Sequence, residues 1–295
     1  MKNNSLLKTY TLPLLAIVLW GLSFVWTNDI LERNVPPFTF LFIRLALAGV
    51  LLYAYSRITG KLQKVATKDW LYMLLMAFFE PFIYFIGETY GMLYTGSAVL
   101  AAVIIATIPV TCLFAERFLY GIPFNASKIV GTAITIPGIV MVVMKGNDSV
   151  QVGHYYGIAL LFLAVAGATG YAAVVKKLSG TYNSLTIATY QFLIGAILFF
   201  PFFMMFGLDG LNSTFFSKEV MLPLLSLAIL CSCTAFVCWV ATIRDLGMTK
   251  ANIFSALIPA VSAIGAAAMG QESISAVTVA GIAVVIAGVI IAQKN

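Results

Sequence analysis

The chain has 295 residues, 61% of them hydrophobic and only 9% charged, with a mean hydropathy of +1.00. A soluble domain carries roughly 25% charged residues, so this supply cannot coat a globule in water, and lipid is the solvent that the composition fits. A net charge of +6 and a pI near 9.1 would suggest nucleic acid in a soluble protein. Here the basic residues sit in short loops, where membrane topology explains them, and nucleic acid is not an expected partner.

Met1 to Tyr10 is short and mildly basic. No small-residue cleavage site comes after it, so the apolar run from Leu12 reads as a retained helix rather than a signal peptide. A helix needs about 20 apolar residues to cross the hydrocarbon core. With that window, spans are expected at 11–28, 37–56, 70–92, 97–117, 127–144, 157–177, 184–206, 220–243, 251–269 and 275–292. The tightest boundary is between the third and fourth, where only Leu93 to Gly96 is free to turn the chain. Lipid offers backbone polar groups no partner, so runs this long must be helices. The expected fold class is all-α integral membrane, with ten transmembrane helices and no separate soluble domain.

Cys112, Cys231, Cys233 and Cys238 all fall inside apolar runs, and the single histidine, His154, falls in an expected loop. That pattern suits small buried packing residues. No metal site and no cofactor is expected.

Orientation offers a test that did not enter the span count. With the N-terminus cytoplasmic, Lys2, Lys8, Arg57, Lys61, Lys64, Lys68, Arg117, Lys128, Lys176, Lys177, Arg244, Lys250 and Lys294 are inside. Arg33, Lys145 and Lys218 are outside, and Arg44 lies within a span. This bias favours an even number of spans with both termini cytoplasmic, in a cell (inner or cytoplasmic) membrane.

The chain also resembles itself. Sliding residues 98–145 over 248–295 brings Pro109 onto Pro259, Gly131 onto Gly281 and Gly138 onto Gly288. A shift of 147 puts Thr39 on Thr186 and Arg44 on Gln191, and a shift of 146 puts Gly21 on Gly167. Two repeats, 1–145 and 146–295, are therefore expected. Five helices in each is an odd number, so the second repeat must enter from the opposite side, as in many secondary transporters.

Ionisable side chains at mid-membrane depth cost roughly 2.5–3.5 kcal/mol on insertion scales and mark cavities or pathways. Arg44, Glu80 and Glu88 are the clear cases. Arg44 is about seven residues into span two, roughly 10 Å deep, while Glu88 and Glu80 are about four and twelve residues from the outer end of span three. Glu80, Tyr84 and Glu88 recur every four residues and predict one polar stripe. Pro81 removes a backbone donor beside Glu80 and predicts a kink that frees the Ala77 carbonyl. Two roles fit: a substrate or proton-coupling site at Glu80, or an Arg44 pair with Glu80 or Glu88 that only holds two spans together.

Pro109 and Pro259 lie midway along spans four and nine and predict kinks that free the Ile105 and Ser255 carbonyls. Matched interruptions in two repeats point to a transporter's site, although such kinks also serve packing. Any charge-based recognition must be concentrated in the first half, because Gln191 replaces Arg44 in the second and the counterpart of Glu80 is close to Cys233. Trp20 and Trp239 offer flat walls for a substrate or act as anchors. Gly131, Gly138, Gly281 and Gly288 predict close helix packing, within one chain or across a homodimer.

Trp20-Gly21-Leu22-Ser23-Phe24 resembles a signature of EamA-type members of the drug/metabolite transporter superfamily. So do the Pro-Phe-Thr-Phe-Leu-Phe-Ile-Arg run ending at Arg44, the prolines of spans four and nine, and Gly270-Gln271-Glu272 followed by Gly281 and Gly288. The resemblance implies a five-plus-five fold with a central cavity lined by spans one to four and six to nine, and spans five and ten peripheral. It also implies efflux or exchange of amino acids or related small metabolites. Ile122 stands where the family often has an acid matching Glu272, or the acid is displaced to Glu116, and both glutamates read as structural loop groups.

One arginine with two glutamates suits a carboxylate plus an amine better than a phosphorylated substrate, which should want several buried bases. The leading expectation is a secondary transporter exporting amino acids or similar metabolites. The alternatives are a cationic drug/proton antiporter, weakened by the lack of an acid in span one, and, in other classes, a channel or a membrane-embedded enzyme. No catalytic constellation supports the last. Expected partners are a small-molecule substrate, lipid, protons at Glu80 and, at the glycine faces, a second copy of the chain.

Overall fold

A computed structural model describes residues 2–121, 126–145 and 152–292, without the side chains at 2–10, 116, 120, 128, 143–145, 152, 249 and 253. Ile122, Lys294 and the side chains of Lys2, Lys8, Glu116, Lys128 and Lys145 therefore lie outside the described residues. The described residues form helices joined by short connections, with no strand among them. In order it forms α1 (Lys2–Glu32), α2 (Pro37–Ile58), α3 (Trp70–Ala77), α4 (Tyr84–Thr95), α5 (Ala98–Ile105), α6 (Ile108–Tyr120) and α7 (Ala126–Lys145). Beyond these come α8 (Val152–Leu178), α9 (Ser184–Phe206), α10 (Lys218–Ser226), α11 (Phe236–Leu246), α12 (Met248–Ile253), α13 (Ile258–Ala268) and α14 (Ala276–Ala292).

Among the described residues, eight stretches are long and apolar enough to cross a membrane. They are Thr11–Glu32, Pro37–Ile58, Thr67–Thr95, Ala98–Leu119, Gly153–Leu178, Ser184–Phe206, Lys218–Leu246 and Lys250–Ala268. The fifth and tenth expected spans are apolar helices too, but shorter ones, Ile129–Val142 and Ala276–Ala292. At 1.5 Å per residue the 17 residues of α14 reach about 26 Å, short of a core of about 30 Å. His154 is a correction: it lies in the first helical turn of α8, not in a loop.

The tight turn after the third span works through local chemistry. Gly96 takes a left-handed φ of 64° that ends α4, a conformation glycine adopts without a Cβ clash. Ser97 then caps α5 by accepting the Leu100 N–H at 3.0 Å.

Outward faces are apolar: Ile58, Leu71, Ile197, Met205 and Ile264 are all exposed, as a lipid-facing surface requires. By contrast all eight residues of α5 are buried, so span four runs through the middle. Helices before residue 145 pack chiefly on helices after residue 152. α7 and α14 cross antiparallel at their glycines, where a methyl on Gly138 would lie 2.8 Å from the Gly281 carbonyl oxygen and one on Gly281 2.9 Å from that of Gly138. The glycine faces are thus used inside the chain. α2 and α9 also run antiparallel, joined by Ser56 to Thr189 at 3.0 Å and by stacked Phe42 and Phe203 rings 4.5 Å apart. At one end of this pair Thr39 donates to the Gly207 carbonyl at 2.7 Å. At the other, Thr186 donates to the Lys61 carbonyl at 3.4 Å.

Candidate functional site

Four of the spans are interrupted. The expected third span, formed by Thr67–Thr95, changes to a π-helical segment over Phe78–Ile83, between α3 and α4, and the expected eighth, formed by Lys218–Leu246, does so over Leu227–Ala235, between α10 and α11. The expected fourth, Ala98–Leu119, breaks at Ala106–Thr107, between α5 and α6, and the expected ninth, Lys250–Ala268, passes through a 3₁₀ segment, Phe254–Leu257, between α12 and α13. Wider turns expose backbone and re-aim side chains, which is why they recur at functional sites.

Glu80 and Ser255, at two of the interruptions, and Ile105, Ile108 and Phe236, which flank the other two, line one cavity of about 40 Å³. A water needs roughly 10–15 Å³ on this measure, so the space admits only a few. Its wall includes Trp20, Arg44, Glu80, Tyr84, Glu88 and Trp239, six residues singled out by sequence, together with Ser23, Tyr171, Phe236, Asn252 and Ser255. Both halves of the chain contribute.

Arg44, Glu80 and Glu88 are 2%, 6% and 4% exposed. The Arg–Glu ion pair, one of the two roles open to these residues, is not formed: among the described residues the ion pairs are Arg33–Asp29 and Arg244–Asp245, both at helix ends. Arg44 instead donates from Nε to Ser232 Oγ at 2.9 Å and lays its guanidinium 4.4 Å from the centre of the Phe85 ring. Such a cation–π contact is worth about 2 kcal/mol when desolvated. The side chain is thereby drawn toward span eight, while both carboxyls stay on span three.

The polar stripe on span three is also corrected. Tyr84 and Glu88 keep their one-turn spacing, with the Tyr84 hydroxyl donating to Glu88 Oε1 at 3.2 Å. Glu80 leaves the helical path, with φ −149° and ψ 115°, and its bond to Pro81 is cis. The span is thus broken at Glu80, and its carboxyl reaches the same cavity off the helical register, with no hydrogen bond to any described residue.

The other prolines act differently from the expected mid-helix kinks. Pro109 is the second residue of α6 and Pro259 the second of α13. In a first turn the missing N–H has no helical partner to lose, so these prolines start new helices instead of bending old ones. Their neighbours Ile108 and Ile258 face the cavity, as do Ile105 and Ser255.

Gln191 lies behind the wall. It is fully buried, accepts the Tyr171 hydroxyl at 3.1 Å, and leaves its own Nε2 without a partner. The Trp20 ring meets both Phe236 and Trp239 edge-on at 4.9 Å, and its buried indole N–H has no partner either. Cys231 donates to the Leu19 carbonyl at 3.2 Å and Cys233 to that of Ala48 at 3.6 Å. Glu272 joins two connections by accepting from Ser97 Oγ at 2.9 Å and from the Val99 N–H at 3.2 Å.

Sequence reasoning missed Tyr171, Ser232 and Asn252. The signals were faint: four consecutive small polar residues, Cys231 to Thr234, in an apolar span, and an asparagine seven residues before Pro259.

The sequence profile of the EamA-like transporter family matches residues 7–144 and again 155–293. The chain belongs to that family. Two proteins of Archaeoglobus fulgidus described as uncharacterized transporters are similar along nearly their whole length. One is 28% identical, covering 96% of each chain, and the other 25% identical, covering 98% of this chain and all of its relative. The uncharacterized transporter YetK of Bacillus subtilis is 25% identical over 94% of this chain and 84% of its own. A solved crystal structure superposes with a TM-score of 0.71 at 17% identity, covering 96% of this chain and 97% of that one, which shows a shared fold. This EamA-like chain is thus a multi-pass membrane transporter, with a small-molecule substrate and a lipid surround.

Proposed function

We propose that this transporter exports amino acids or similarly sized zwitterions across the cytoplasmic membrane by alternating access, with Glu80 carrying a coupling proton. The observation that carries this reading is the cavity wall itself, where one arginine, two carboxyls and an aromatic cluster line the same space. A guanidinium suits the substrate carboxylate, and a carboxylate with aromatic faces suits its amine. An organic cation is the weaker reading, because Arg44 would repel it.

Residues 1–145 and 146–295 act as two inverted repeats that complete ten membrane helices, with both termini cytoplasmic. The paired contacts support this. A shift of 147 carries Phe42 onto Thr189 and Ser56 onto Phe203, so the two α2–α9 contacts are images of each other. A shift of 150 does the same for the crossed glycines. A cavity of about 40 Å³ must widen to admit such a substrate.

The test is uptake into proteoliposomes with and without an imposed pH gradient. Wild type should be accelerated by the gradient. Glu80→Gln should lose that acceleration yet retain exchange of labelled for unlabelled amino acid. Equal acceleration in both proteins would remove Glu80 as the coupling group.

A further inference from the structure

Arg44 has a single hydrogen-bonding partner among the described residues, Ser232, and it comes from the other half of the chain. We propose that Ser232 is a positioning residue for substrate binding. It holds Nε of Arg44 so that the two terminal nitrogens stay at the cavity wall, forked toward a substrate carboxylate. This rests on the reading of Arg44 as a substrate ligand given above.

Three observations lead there. Both groups are buried, Arg44 2% and Ser232 0% exposed, so water does not compete for the bond. The Phe85 ring packs against the guanidinium, 4.4 Å from its carbon to the ring centre, and the Nε bond anchors the near side of the group. The terminal nitrogens donate to no described residue, although Arg44 lines the cavity. A guanidinium binds carboxylate best through two parallel N–H bonds, and with Nε engaged the end-on pair of nitrogens is what remains.

The local fold keeps Ser232 in place. It lies in the π-helical segment Leu227–Ala235, where Thr234 donates to the Ile229 carbonyl five residues back. Cys231 on one side is bonded to α1 and Cys233 on the other to α2. Removing the extra residue of the wide turn would rotate the remainder of the span by about 100° per residue of register. The repeat-matched π-helical segment of span three carries Glu80 at its own break. One wide turn thus sets an acid at the binding space, and the other sets a hydroxyl behind it, on Nε of Arg44.

The test uses the full chain in proteoliposomes, with the amino acid best exchanged by wild type as probe, beside the corresponding amino-acid amide. A hydrogen bond to a charged group supports about a tenfold effect. Ser232→Ala should raise KM for the amino acid by about that factor and leave the maximal rate within about twofold. It should change KM for the amide little, and Ser232→Thr should restore the wild-type value. Ligand-induced stabilisation in detergent extends the comparison to variants too slow to assay: Ser232→Ala should weaken it in wild type and add nothing in Arg44→Ala. A fall in maximal rate with KM unchanged, or an equal loss in the Arg44→Ala background, would overturn the role of Ser232. Wild-type kinetics in Arg44→Ala would instead overturn the reading of Arg44, and this proposal with it.

Discussion

Tyr171 and Gln191 illustrate how buried amides are handled in this chain. The tyrosine hydroxyl uses the Gln191 carbonyl oxygen, while Nε2 of the same fully buried amide has no partner. Leaving a buried polar group unsatisfied costs about 1–3 kcal/mol. Tyr171→Phe should therefore destabilise the protein by about that amount, read as a lower melting temperature in detergent, because Gln191 would lose its remaining bond. An unchanged melting temperature would mean that the amide finds another partner. At this scale the sequence identified the ionisable residues because charge is so rare in an apolar span that each instance stands out. Trp20, Arg44, Glu80, Tyr84, Glu88 and Trp239 do share one cavity. Ser232 and Asn252 stayed hidden because small polar side chains in a membrane helix commonly bond their own backbone, as Asn252 does to the Met248 carbonyl at 2.9 Å. The choice of partner for Arg44 was also illegible, since it depends on how a neighbouring span is wound.

Helices were legible where length and hydropathy decide, and their interruptions were legible only as prolines. The third span's break was foreseen from Pro81, but the matching break at Leu227–Ala235 contains no proline and gave no sign. Pro109 and Pro259 marked the right places with the wrong mechanism, because a proline that starts a helix and one that bends it look alike in sequence. Glu272 shows a further function of element ends. It satisfies two donors at the N-terminus of α5, one a backbone N–H, and ties the connection before α14 to span four. Glu272→Gln removes the charge that favours a helix N-terminus, and a melting experiment should register a loss of about 1 kcal/mol. The crossed glycines should be less tolerant. Gly288→Val would push a side chain into the Gly131 carbonyl and Thr135, and overpacking of that kind costs about 1–3 kcal/mol or more. Wild-type stability in Gly288→Val would show that α7 and α14 can separate freely.

The molecule as a whole is held together by contacts between its halves more than within them. α2 packs on α9, α7 on α14, and α1 on both α11 and α13. An intertwined bundle of this sort can change shape by rocking one set of helices against the other while the cavity stays between them. The proposed repeat rests on proline and glycine positions that recur in register, and the family profile matches residues 7–144 and 155–293 separately. The pairing of helices across the halves was not legible in the sequence, since hydropathy says which residues avoid water but not which helix they meet. The most direct measurement is counterflow: purified protein in liposomes preloaded with unlabelled amino acid, with entry of the labelled form tracked in time. We expect saturable uptake that overshoots equilibrium and is lost in Arg44→Ala. Uptake that never saturates, ignores the preload and survives that substitution would contradict a central carrier site built around Arg44.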